Sequence, residues 1–318
     1  MKYSERLSAI LKEHAVVLGL VGVYIFSAAM FVLATGNRAN LVIRWFYPFF
    51  TLAFILGSAV RLFASPRSRN LEHIAGAAIV GLMAAPFQST FNSVKQDAGS
   101  VHGFAWDARL AEIDRQIHFG RHPWEWIAPL IAHSGSIRFL DLTYMLWFPM
   151  LFGFLLWAAW SEDRALRRRA LVAVVLVWVL CGNVAAIALS SAGPCYYDSV
   201  VTGTNPYARL MTMLDFQHHQ HFLFARVNQL GLWGAMQSHT WLPFGGISAM
   251  PSVHVAMAVL LALIGWRRSA TAGTLLMIFA GLILLGSVAL GWHYAIDGYV
   301  GAVMAYGIWR GVNGGSAK

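Results

Sequence analysis

Eight stretches of this chain, near residues 15–35, 45–64, 73–93, 138–160, 170–190, 253–266, 273–292 and 294–312, are apolar. Most approach the ~20 residues that a helix needs to cross a bilayer. Inside hydrocarbon no water pairs with backbone N–H and C=O groups, so such stretches fold as helices that satisfy their own hydrogen bonds. With 58% hydrophobic and 12% charged residues, there is too little polar surface to cover a soluble domain. The expected fold class is an all-α integral membrane protein of about eight transmembrane helices, the sixth being short. Lys2, Arg6 and Lys12 ahead of the first apolar run imitate a signal peptide. That run is too long for one and lacks a small-residue cleavage site, so it reads as an uncleaved first span. No internal repeat, low-complexity tract or separate soluble domain is visible.

Basic residues gather in short cytoplasmic connections of most membrane proteins, which orients the chain. With the N-terminus inside, the inner segments hold Lys2, Arg6, Lys12, Arg61, Arg67, Arg69, Arg164, Arg167, Arg168, Arg169, Arg267, Arg268, Arg310 and Lys318, fourteen of the 23 basic residues. The other nine are spread over longer outer loops. Topology thus accounts for the net charge of +9, and no nucleic-acid partner is expected. Both termini are expected on the cytoplasmic side.

Beyond His239, the only histidines and the only acid fall in two short motifs, Pro251-Ser252-Val253-His254 and His293-Tyr294-Ala295-Ile296-Asp297. An ionisable group in or near hydrocarbon is costly, so its presence is a functional signal. The topology puts His254 at the outer entrance of the sixth span and His293 at the outer turn before the eighth, so a helix down, the Arg267-Arg268 turn and a helix up return the chain to the same depth. His293 and Asp297 stand at i and i+4, where a carboxylate can hold one imidazole nitrogen and raise the basicity of the other. Such an imidazole is a potential nucleophile. Pro251 disfavours helix at Met250 and marks a first helical turn, with N–H groups near Ser252 expected to cradle an anion.

These residues resemble the type 2 phosphatidic acid phosphatase superfamily, whose second motif is Pro-Ser-x-His and whose third contains His-x-x-x-Asp. The resemblance covers about the last two-thirds of the chain. It implies a phosphohistidine mechanism: His293 attacks phosphorus, Asp297 orients it and His254 protonates the leaving oxygen, with no cofactor and no metal. It also implies a six-helix core in residues 66–318, with outer loops 94–137 and 191–247, behind two added helices in residues 1–65. Two arginines usual in the superfamily are absent: Lys95 is followed after six residues by His102-Gly103 rather than Arg-Pro, and Ser287 stands six residues before His293. With His-Tyr-x-x-Asp as third motif, the chain looks more like the branch of inositol phosphorylceramide synthase and sphingomyelin synthase. The segment Phe91 to Gly120, with Lys95, Asp107, Asp114 and Phe119-Gly120, is similar to bacterial members of that branch. The implied function is lipid head-group transfer from a phospholipid or sphingolipid at the outer face of a bacterial cytoplasmic membrane; lipid phosphate hydrolysis at the same site is the alternative.

Other segments carry two readings each. In residues 107–119, Leu110, Ile113 and Ile117 share a helical face, so this piece lies at the outer interface and either roofs the site or only caps the bundle. Lys95, at the outer end of the third helix, either binds phosphate or snorkels to lipid head groups. In the loop from 191, Gly193-Pro194-Cys195-Tyr196-Tyr197 either lines a head-group pocket, with Tyr196 the substrate-binding candidate, or anchors the interface. Arg226 either stabilises charge or pairs with an acid such as Asp215. His218, His219 and His221 lack an accompanying ligand set, so no metal is assigned. Cys181 and Cys195 are expected free. A proton-coupled transporter would also place histidines and an aspartate in a membrane, but near the midplane and with a repeat. A scaffold would need none of the set.

Overall fold

The computed structural model describes residues 3–34, 46–64, 71–240, 242 and 245–314. Among them the chain is helical, without strands. Helices α1 (Tyr3–Ala34), α2 (Phe46–Ala64) and α3 (Leu71–His102) are followed by the amphipathic α4 (Asp107–Ile117). Next come α5 (Ser134–Trp160) and α6 (Arg164–Val179), the latter prolonged through a widened π turn at Leu180–Ala185. The segment expected as the outer loop 191–247 contains α7 (Ala208–Gln220) and α8 (Phe224–Gln237). Helices α9 (Val253–Trp266), α10 (Ala270–Ala289) and α11 (Ala295–Gly314) complete the described chain.

Five segments are long and apolar enough to cross a membrane: His14–Ala34, Ile74–Gly99, Ser134–Trp160, Arg164–Ala188 and Ala270–Ala289. They mark the chain as a membrane protein. The other three expected spans do not meet that measure among the described residues. The apolar part of α2 is Phe54–Phe63, α9 has only 14 residues, and α11 carries Asp297 and Arg310. Phe26, Phe63, Leu82 and Val303 are each at least 70% exposed, a pattern that suits lipid rather than water around the bundle. Lys2, Arg67, Arg69 and Lys318, which entered the orientation argument, lie outside the described residues.

Polar residues start the helices that carry the site. Asp163 accepts the Leu166 N–H at 2.9 Å ahead of α6, and Ser269 accepts the Ala272 N–H at 3.1 Å ahead of α10. Helix α9 lies at the centre, packed on α5, α6, α10 and α11 and buried along most of its length. Close approach to α11 depends on a small residue: a Cβ at Gly301 would stand 2.6 Å from the Ser252 carbonyl oxygen. The two motif-bearing helices are thereby held side by side.

Candidate active site

The second motif meets the third through the backbone. Ser252 is the N-cap of α9, its Oγ accepting the Val255 N–H at 3.4 Å, and Pro251 precedes the cap rather than opening the helix. The Ser252 N–H donates to the Asp297 carbonyl oxygen at 3.0 Å. Ser252 is fully buried and does not itself line the cavity described below, although Pro251 and Val253 on either side of it do. The Ser252 amide and Oγ are thus both engaged within the protein, because a helix start buried against α11 must satisfy its polar groups internally. Ser252 joins the motifs together.

His254 and His293 face each other with ring centroids 6.3 Å apart. Nδ1 of His293 lies 3.3 Å from Oδ2 of Asp297, which also accepts the Tyr294 N–H at 3.0 Å. A neutral imidazole donating from Nδ1 leaves Nε2 with its lone pair for attack. Burial, with the Lys95 charge in support, pushes the His293 pKa down to about 3 against an opposing hydrogen bond to the Ala249 backbone, so the ring is neutral at physiological pH. His254 is held by aromatic side chains of α5: Tyr144 stacks on it at 4.7 Å, Trp147 packs at 4.2 Å, and Trp147 Nε1 donates to the His254 carbonyl oxygen at 2.9 Å. The buried Tyr144 hydroxyl has no hydrogen-bond partner among the described residues, a costly condition for a donor away from water.

Both histidines, Lys95, Tyr144 and Tyr196 line a cavity of about 960 Å³. Lys95 is thus brought to the site, half-buried on α3. Tyr196 is also there, but its hydroxyl donates to the Gln229 carbonyl oxygen at 2.9 Å and its ring stacks on Trp233 at 5.1 Å. It offers the site a ring rather than a free hydroxyl.

A strap at residues 191–195 stitches these parts together. The Ser191 carbonyl accepts the Ala249 N–H at 2.8 Å, Ser191 Oγ accepts the Met250 N–H at 3.1 Å, and the Cys195 N–H donates to the Gly291 carbonyl at 2.9 Å. Gly193 adopts φ +98°, and a Cβ there would stand 2.5 Å from the Trp292 carbonyl oxygen, so the strap needs glycine at this point. Asp107 of α4 accepts from the Ala192 and Gly193 N–H groups at 2.7 and 2.8 Å and from the Tyr294 hydroxyl at 2.7 Å. Asp114, one further turn-pair along, accepts from Ala295 and Ile296 N–H at 3.0 Å each, at the start of α11. Burial pushes both carboxyls up, and the donors push back toward the charged form.

Helix α4 therefore buries a face that mixes acids with apolar residues. Asp107, Leu110, Ala111 and Asp114 face inward, while Ile117 is 47% exposed. Two acids and a leucine at i, i+3 and i+7 were the available signal, since acids on the apolar stripe of a helix must have partners. We expect Asp107→Asn to lower kcat/KM about 10- to 100-fold, as small displacements of reacting groups do. The amide would turn a donor toward one of three donors and loosen strap and third motif together. Steady-state kinetics on folded, monodisperse protein would check this, and a wild-type rate would show that the strap is not needed for the geometry.

Of the other candidates, Arg226 is buried and donates to Asp215 at 2.8 and 2.5 Å and to Gln229 at 2.8 Å, the structural one of its two readings. His218 Nδ1 accepts the Leu223 N–H at 3.1 Å. Both cysteines are free. Ser287, where the superfamily usually has arginine, accepts the Trp292 and His293 N–H groups on its carbonyl at 2.9 and 3.1 Å and so shapes the turn that presents His293. Tyr144 and Trp147 had no sequence signal, because an aromatic residue in an apolar span looks the same whether it faces lipid or a site. In comparisons with known proteins, the family model described as PAP2 superfamily matches residues 108–310. No curated protein and no solved structure matches.

Proposed function

The chain belongs to the PAP2 superfamily, whose chemistry is that of phosphatases and phosphotransferases, and from that premise we propose that it is a lipid head-group phosphotransferase of the inositol phosphorylceramide synthase-like kind, working through a phosphohistidine. The observation that carries this reading is the pair of histidines facing each other at one end of a large, mainly apolar cavity. A lipid presents its phosphate to the histidines and its chain to the apolar walls.

In the proposed sequence, His293 Nε2 attacks phosphorus as the bond from phosphorus to the leaving oxygen breaks, and His254 delivers its proton to that oxygen. Asp297 keeps the Nδ1 proton in place and stabilises the cationic ring of the intermediate. His254, now neutral, takes the proton of an acceptor hydroxyl, whose oxygen attacks phosphorus and breaks the P–N bond. Lys95 supplies positive charge to the phosphoryl oxygens, and the Tyr144 hydroxyl finds there the acceptor that the described residues do not give it. No step calls for a metal ion. The site opens to the outer face in the proposed eight-span topology, with both termini cytoplasmic.

We expect Tyr144→Phe to lower kcat about 10- to 100-fold with little change in KM, as for a donor used mainly in the transition state. Rates at saturating substrate would decide it, and an unchanged kcat would remove the hydroxyl from the reaction. The function itself is tested by giving purified protein a panel of lipid phosphates and phosphodiester lipids, with and without a lipid alcohol. A new head-group lipid formed only with the acceptor supports transfer. Phosphate or head-group release in its absence would instead make the protein a hydrolase, and no turnover of any substrate would overturn the enzyme reading.

A further inference from the structure

The cavity is much deeper than the chemistry requires. On α3 it is lined from Lys95 down to Val80, fifteen residues and so about 22 Å at 1.5 Å per residue. On the prolonged α6 it is lined from Gly182 to Leu171. Its polar lining gathers near the histidines, with Gln88 lower on α3, and the remainder is largely aliphatic and aromatic. One leaflet contributes about half of the ~30 Å hydrocarbon core, so the cavity is long enough for a complete acyl chain.

The far end includes a helix outside the family-matched residues. Val17 and Val21 of α1 line the cavity together with Val80, Leu171 and Val174. They are 0% and 4% exposed, whereas Val23 and Phe26 on the other side of α1 are 68% and 70% exposed. Helix α1 is fixed there: the Tyr24 hydroxyl donates to Asn183 in the π turn of α6, and its ring packs on Phe87 of α3 at 5.3 Å. Widened turns of this kind are often found at functional sites.

We propose that this cavity is a chamber for one acyl chain of the lipid substrate and that α1 is its end wall, with Val17 and Val21 setting the chain length accepted. The inference rests on the lipid phosphotransferase reading and adds a specificity determinant far from the reacting groups. Leaving bilayer for an apolar chamber gains a chain little hydrophobic energy, so selection operates through fit at the end wall.

The test compares Val17→Phe, Val17→Ala and wild type on short- and long-chain substrates with one head group in mixed micelles. Val17→Phe is expected to lower kcat/KM about tenfold for the long chain and to leave the short chain within about twofold. Val17→Ala is expected to move the preferred length upward, and it decides the matter if the larger residue prevents folding. Equal effects on both chain lengths, or none on either, in folded protein would overturn the end-wall role. Absence of turnover by wild type at every chain length would instead overturn the underlying lipid reading.

Discussion

Replacing His293 by alanine is expected to lower turnover by about 10⁴-fold or more and to abolish the acid-labile phosphoprotein formed on mixing with labelled donor. The ring is buried in the turn between α10 and α11, with Nδ1 directed at Asp297. Removing it leaves the strap and the Asp107 and Asp114 contacts intact, so size-exclusion and thermal unfolding profiles should remain close to wild type. Loss of activity with retained fold identifies a reacting group, whereas persistence of the phosphoprotein would place the nucleophile elsewhere. The same burial has a pH signature. With its pKa pushed down to about 3, His293 is already neutral well below the ordinary histidine range. The acid limb of kcat/KM, which reports the free protein, should therefore lie well below pH ~6.5. Between pH ~6.5 and about 3 the unfolded chain binds a proton at this position that the folded chain does not, so this residue weakens the fold as pH falls through that window. An acid limb near pH ~6.5 assigned to His293 would show that water reaches the ring in the working protein.

Asp297→Asn is expected to slow phosphoprotein formation about 10³- to 10⁴-fold while leaving substrate binding and folding largely unchanged. Oδ2 of Asp297 accepts from two donors, the Tyr294 N–H and His293 Nδ1. An asparagine carbonyl oxygen in that position can accept from both donors, but it lacks the negative charge that stabilises the cationic ring of the proposed intermediate. Rapid-quench measurement of the first turnover checks this directly, and a rate within about tenfold of wild type would exclude that role.

The candidate reacting groups were legible because apolar sequence makes ionisable residues conspicuous: His254, His293 and Asp297 stand out where little else is polar. Their convergence also followed from element lengths, since α9, a basic turn and α10 return the chain to one level. What supports them was less legible. Asp107 reaches Tyr294 across 187 residues of sequence and Asp114 reaches Ile296 across 182, separations at which helical periodicity carries no information. Ser252 Oγ caps its own helix and its amide is taken by the Asp297 carbonyl, a local arrangement that the motif alone does not reveal. Neither the Tyr144 and Trp147 setting of His254 nor the chamber beneath it has a sequence signature, because both are made of the apolar residues that also face lipid.

The brevity of α9 has a consequence for how a lipid would be handled. Fourteen residues rise about 21 Å, and with the inner end at Arg267 and Arg268 this falls short of a ~30 Å hydrocarbon core. In the proposed topology the floor on which His254 stands is therefore sunk roughly 9 Å beneath the outer boundary of the core. A lipid would not be hoisted out of its leaflet to be processed; its phosphate would sink instead, exchanging surface water for Lys95 and the histidines while the tail never leaves oil. On that topology the protein would work as a dimple in the bilayer, and the main work of substrate capture would be the dehydration of one small charged group.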